Sequence, residues 1–147
     1  MKVIILAGGM GTRIGEYTKT IPKPLITVSG KPILIHIMEL YSHYGFKEFY
    51  IALGYKGNVI KNYFDKKKFN KWKINLVETG KNTMTGGRLK RLKKYFDKDE
   101  TFMMTYGDGV SNVNLKKLLS FHKKNKKIAT LTAVRPPARF GALKISG

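Results

Sequence analysis

Residues 2–13, KVIILAGGMGTR, carry the chain from a short apolar run straight into glycine. The run KVIILA, 2–7, has no alternating polar side, so it reads as a strand buried on both faces. Burial on both faces is the mark of a parallel sheet, whose crossover helices cover it above and below. The glycines that follow mark the strand's end and the start of a loop.

Outward from this stretch the same alternation repeats. Ile33, Ile37, Leu40, Tyr41 and Tyr44 recur at helical spacing, and Gly45 stands where a helix ends. FYIAL, 49–53, is a second apolar run, and Val59, Ile60, Tyr63 and Phe64 form the next helical face. INLVE, 74–78, predicts a third strand, RLKRLKKYF a helix with Leu89, Leu92 and Phe96 on one side, and FMMTY, 102–106, a fourth strand. A helix over about Asn114–Asn125, with Leu115, Leu118, Leu119 and His122 inward, leads to IATLTAV, 128–134, expected as a fifth strand. Strand and helix in alternation predict a Rossmann-like α/β fold, a mainly parallel sheet with helices on both faces, as one domain over 1–147. The sheet is expected to be incomplete at the C-terminus. Ligands of such sheets bind beyond the carboxyl ends of the strands, and the loops 8–13, 79–88 and 107–109 all follow strands.

The composition narrows the chemistry. Zero cysteines exclude a disulfide framework and thiolate metal sites. No run of about eighteen apolar residues occurs, and the start lacks a secretory pattern, so a cytoplasmic protein without membrane contact is expected. The net charge of +20 comes from 29 basic residues against 9 acidic ones. Such a field suits nucleic acid or a phosphate-rich small substrate, although only five of the cations are arginine and most lysines fall on solvated helix faces.

Gly8, Gly9 and Gly11 let backbone N–H groups approach phosphate oxygens. The loop is no P-loop, because no Gly-Lys-Ser/Thr closes it, and Ile14 breaks the dinucleotide pattern. Arg13 adds a fork suited to a polyphosphate. In IPKP, 21–24, two prolines deny the backbone a helix and hold Lys23 in a defined place. Asp108, between Gly107 and Gly109 at a strand's end, offers a carboxylate to the same edge. His36, His43 and His122 read as core or surface residues, and Trp72 as an anchoring aromatic.

LAGGMGTR, PKPL and GKPILIHIM together resemble the start of the sugar-1-phosphate nucleotidyltransferases, and the resemblance runs through the whole chain. VETGKNTMTGGRLKR, TYGDGVSNVNL and PPARFGAL favour the cytidylyl branch over the thymidylyl, uridylyl and guanylyl branches. The resemblance implies transfer of a cytidylyl group from CTP to glucose 1-phosphate, with CDP-glucose and pyrophosphate as products. Leu6, Ala7, Gly8, Gly9 and Met10 would line the nucleotide pocket, Gly11, Thr12 and Arg13 would grip the triphosphate, and Lys23 would reach the reacting phosphates. Thr83 and Arg88 would contact the nucleotide, Gly107 would lie against it, and Asp108 would hold Mg²⁺. Arg13 and Lys23 would be the catalytic cations. A homo-oligomer is expected.

Two departures accompany the resemblance. The segment before VETG is shorter than in cytidylyltransferases, and a sugar-phosphate segment and a second metal aspartate are expected beyond Gly147. The competing readings are a relative using dTTP, UTP or GTP, an inactive fragment, and a basic module that binds nucleic acid with steep salt dependence.

Overall fold

The computed structural model describes residues 1–10 and 20–134. It divides into two compact units, Met1–Val113 and Asn114–Gly147. In the first unit β1 (Lys2–Leu6), β4 (Glu48–Leu53), β5 (Lys73–Glu78) and β6 (Met103–Tyr106) form one sheet in the order β5-β4-β1-β6, with every pairing parallel. Val3, Ile4 and Ile5 of β1 are each 1% exposed or less, so the continuous apolar run does mean burial on both faces.

The helices are α1 (Ile33–His43), α2 (Gly57–Lys66) and α3 (Thr85–Leu92). Right-handed crossovers decide where they lie. The chain steps from β1 to β4 to β5 in one direction, which places α1 and α2 on one face. It then crosses back from β5 to β6 and places α3 on the other. There Ile4, Leu6, Tyr50, Ala52, Val77 and Leu92 form a core, with Leu89 and Phe96 packed against it. Ile4 and Leu6 on β1, and Tyr50 and Ala52 on β4, are alternate residues of their strands, as the pleat requires. The alternation of mainly parallel strands and helices expected from sequence is the architecture observed.

Gly45 ends α1 in the left-handed region at φ 91°, while Gly45 and Phe46 donate backbone N–H to the carbonyls of Ser42 and Tyr41. A short antiparallel hairpin, β2 (Thr27–Val28) and β3 (Lys31–Pro32), was not anticipated. Its turn uses Ser29 and Gly30, both at positive φ, the conformation that matches strand twist in two-residue hairpins.

The second unit contains α4 (Leu115–Asn125), where Asn114 Oδ1 accepts from the Lys117 backbone N–H at 3.0 Å. Leu115 is buried, and Leu118, Leu119 and His122 are partly buried, as the spacing implied. The expected fifth strand is absent: residues 128–134 form no strand, and Ile128, Leu131 and Val134 are 105, 86 and 76% exposed. An apolar, β-branched run supplies propensity, but a strand exists only where a neighbour completes its hydrogen-bond ladder.

Stability should be sensitive to acid. Lys31 beside Glu39, Lys73 beside Glu48 and Lys2 beside Glu100 hold those carboxyls below their ordinary value of 4.5, each chiefly through a lysine hydrogen bond. A carboxyl whose folded pKa is depressed contributes stability that is complete above its unfolded value and is lost as pH falls through the folded one. The urea midpoint is therefore expected to hold above pH 5 and decline below about pH 4.5. A midpoint unchanged down to pH 3 would refute the attribution.

Candidate functional site at the β1–β6 edge

All four strands are parallel, so the segments following them open on one edge of the sheet. The reversal of strand order falls between β1 and β6, the place where sheets of this kind hold their ligands. Gly8 and Gly9 follow β1 at this point, and Gly107 and Asp108 follow β6.

The segments around Lys23 and Asp108, 85 residues apart, meet here. Gly107 N–H donates to the Leu6 carbonyl at 2.9 Å, and a Cβ at Gly107 would stand 3.0 Å from Pro24 Cγ and 3.1 Å from that carbonyl oxygen. Only glycine lets the Pro24 ring close on β1 and β6. Pro22 enters with φ −65° and ψ 143°, and Lys23–Leu25 then form one 3-10 turn closed by Leu25 N–H on the Pro22 carbonyl. The expectation that the prolines deny a helix is thus corrected, because a proline tolerates the first turn, where its missing N–H has no partner to lose. Buried Pro24 and Leu25 anchor the turn, and Lys23 Nζ reaches Asp108 Oδ2 at 2.5 Å. Both side chains keep partial access to solvent, 25 and 34%.

The two glycines after β1 differ in kind. Gly8 is buried, and a Cβ there would stand 2.5 Å from Arg88 Cζ. Gly9 is exposed, with none of the described residues within 4 Å of a Cβ. The room at Gly8 is used by a guanidinium, and the room at Gly9 faces the open edge. Leu6 and Ala7 are buried, while Met10 is 48% exposed. Gly11, Thr12 and Arg13 lie outside the described residues.

Thr83 is half-buried between Gly80 and Gly87. Its Oγ1 would be 2.7 Å from a Cβ at Gly80, and its methyl 2.8 Å from one at Gly87. Arg88, by contrast, turns inward and is 5% exposed. Its Nη1 donates to the Leu53 carbonyl, Thr79 Oγ1 and the Gly80 carbonyl at 2.9, 2.7 and 2.9 Å, and its Nη2 to the Gly8 carbonyl at 2.9 Å. Burial first and the neighbouring Arg91 second push its pKa below the ordinary arginine value. Sequence reasoning passed over Thr79 and Gly54, and read in Pro24 a brake on helix formation without its packing against Gly107. The signal available for the first two was position, each being the residue immediately after a strand.

Among the described residues no three histidine, aspartate or glutamate side chains gather as a metal cage. Asp108 brings one carboxylate to this corner. Mg²⁺ is ordinarily held by one or two carboxylates together with substrate phosphates and water, so the corner fits a metal that arrives with a phosphorylated ligand. His36 Nε2 is paired with the Val28 carbonyl, and Trp72 is stacked on Phe69 and edge-on to Phe49, which places both in structural surroundings.

A profile of the nucleotidyl transferase family matches residues 2–147. The glucose-1-phosphate cytidylyltransferase of Salmonella typhimurium is 48% identical over 166 aligned positions, covering 99% of this chain and 65% of that protein. The chain thus spans about two thirds of that relative's length, and an alignment longer than its 147 residues leaves positions of the relative without counterpart here. The UTP–glucose-1-phosphate uridylyltransferase of Synechocystis is 31% identical over 147 positions, covering 93% of this chain and 38% of that protein. Among solved structures, HddC from Yersinia pseudotuberculosis complexed with GMP-PN superposes with a TM-score of 0.72 at 32% identity, over 82% of this chain and 53% of that one. No helix among the described residues is long and apolar enough to cross a membrane.

Proposed function

The chain belongs to the nucleotidyl transferase family, and on that premise we propose that it is the nucleotide-binding portion of an enzyme that transfers a cytidylyl group from CTP to glucose 1-phosphate. The observation that carries this reading is the Lys23–Asp108 pair at the strand-order reversal, beside the open Gly9. The choice of CTP is supported by the 48% identity to a cytidylyltransferase against 31% to a uridylyltransferase.

A phosphate oxygen of the sugar phosphate attacks the α-phosphorus of CTP, the bond to the β-phosphate oxygen breaks, and pyrophosphate leaves. The protein supplies alignment and charge more than covalent chemistry. Lys23, with Arg13 assigned the same task, neutralises phosphate oxygens, and the N–H groups after β1 receive others. Leu6, Ala7 and Met10 border the nucleoside, Gly107 gives close approach, and Thr83 is assigned a nucleotide contact. Asp108 would hold Mg²⁺, which when bound withdraws charge from the phosphates. Lys23 and Asp108 satisfy each other. A phosphate would take the place of the carboxylate at Lys23, and Mg²⁺ would take the place of the ammonium at Asp108.

Self-association belongs to the same proposal, supported by Met104 and Tyr106, 37 and 52% exposed on one face of the edge strand β6. So does a cytoplasmic location.

Calorimetric titration with CTP, UTP, dTTP and GTP in the presence of Mg²⁺ tests the reading. CTP is expected to bind at least about tenfold more tightly than the others, a difference of roughly 1.4 kcal/mol. Equal weak binding of all four, alongside mixed-sequence RNA binding that falls steeply with salt, would replace it by the nucleic-acid reading.

A further inference from the structure

We propose that Arg88 is a positioning residue, whose buried guanidinium aims the Gly9 N–H out of the sheet edge toward phosphate oxygens. The proposal rests on the nucleotide-binding reading above and adds a device to it. The Gly8 carbonyl is held inward by two donors, Arg88 Nη2 at 2.9 Å and the Tyr55 backbone N–H at 3.2 Å. In a trans peptide the C=O of one residue and the N–H of the next point in opposite directions. Fixing the Gly8 carbonyl inward therefore turns the Gly9 N–H outward, at a residue that is exposed among the described residues.

The same guanidinium ties this loop to two others. It bonds the Leu53 carbonyl at the end of β4 and the Gly80 carbonyl after β5. Thr79, fully buried, donates its hydroxyl to the Leu53 carbonyl at 2.6 Å and accepts from Arg88. Gly54 makes room as Gly8 does, since a Cβ there would stand 2.5 Å from Arg88 Nη1 and 2.8 Å from the Gly8 oxygen. A planar fork can reach three loops at once, and an ammonium cannot.

The charge matters as much as the geometry. Every hydrogen-bond acceptor of Arg88 is neutral, and among the described residues no carboxylate forms a salt bridge with it. Arg91, donating to the Thr79 carbonyl at 2.6 Å, adds a second cation. A buried cation whose partners are dipoles gains most from an anion placed just outside the loop that it holds. Arg88 thus prepares the edge for a polyphosphate without touching it.

The test compares the full chain with Arg88→Lys and, at the neighbouring acceptor, Thr79→Val. The probes are CTP, UTP and inorganic tripolyphosphate, read by titration and by the ¹⁵N–¹H resonance of Gly9. Arg88→Lys is expected to weaken all three ligands by the same factor, about tenfold or more, and to abolish the ligand-induced Gly9 shift. Thr79→Val should do the same more weakly. The Tyr55 amide, bonded to the Gly8 carbonyl, should exchange faster in both variants without any ligand. Loss of CTP binding with tripolyphosphate unaffected would mean that Arg88 contacts the base directly, and full binding by Arg88→Lys would remove the need for a fork. Either outcome overturns the proposal, as does unchanged Tyr55 exchange. Wild-type protein that binds none of the three probes would defeat the nucleotide reading instead, while Tyr55 exchange would still decide the Arg88 geometry.

Discussion

Asp108→Asn is expected to abolish the Mg²⁺-dependent part of CTP binding while leaving the metal-free part intact or improved. Lys23→Ala should do the reverse. The reason is that the two side chains hold each other at 2.5 Å, so deleting one frees the other. Without the carboxylate, Lys23 offers an uncontested ammonium to phosphate, but the metal loses its protein ligand. Without the ammonium, Asp108 binds a divalent cation more readily, yet the phosphates lose a cation. In any pyrophosphate-release assay of the complete active site, each variant should lower turnover by about 10² to 10³-fold, the usual cost of removing one well-placed charge-stabilising group. Titration with CTP at zero and saturating Mg²⁺ checks the opposite signs. If both variants lower both affinities alike, the pair is a structural tie and not a site.

Much of this was legible before any coordinates, and for identifiable reasons. Runs such as KVIIL and FYIAL are apolar on both sides, and only a parallel sheet covered twice accommodates them. Once the strands are parallel, their trailing loops must share an edge, so the placing of Gly8 and Asp108 on adjacent strand ends follows from topology. The 128–134 run failed because nothing in a window of sequence reveals whether a ladder neighbour exists. The 27–32 hairpin failed for the opposite reason: its strands are two residues long, and its only signal was Ser29-Gly30.

The roles within the site were harder to see. A glycine, an arginine and a threonine near a phosphate loop all suggest ligand contact by type. Gly8, Thr79 and Arg88 instead spend their atoms on the protein itself. A linear pattern cannot distinguish a guanidinium that faces a ligand from one that faces carbonyls, because both need the same residue. Burial decides it, and burial arises from packing between segments as far apart as Gly8 and Arg88.

The two glycines after β1 offer the sharpest contrast in expected stability. Gly8→Ala should destabilise the fold by about 3 to 5 kcal/mol, because the new methyl displaces a buried guanidinium from its carbonyl partners. Arginine is flexible elsewhere, but this one is fixed by bonds to Leu53, Thr79, Gly80 and Gly8, so moving it leaves a buried charge unsatisfied. Gly9→Ala, one residue on, should change the urea midpoint by no more than about 0.5 kcal/mol equivalent, since its methyl projects into open space. Its effect should appear in CTP affinity, where the methyl crowds an approaching phosphate. A single generic phosphate loop would make the two substitutions alike, costly to binding and neutral to folding. Urea unfolding and CTP titration of both variants separate the cases, and equal midpoints for Gly8→Ala and Gly9→Ala would show that Arg88 yields freely and does not fix the loop.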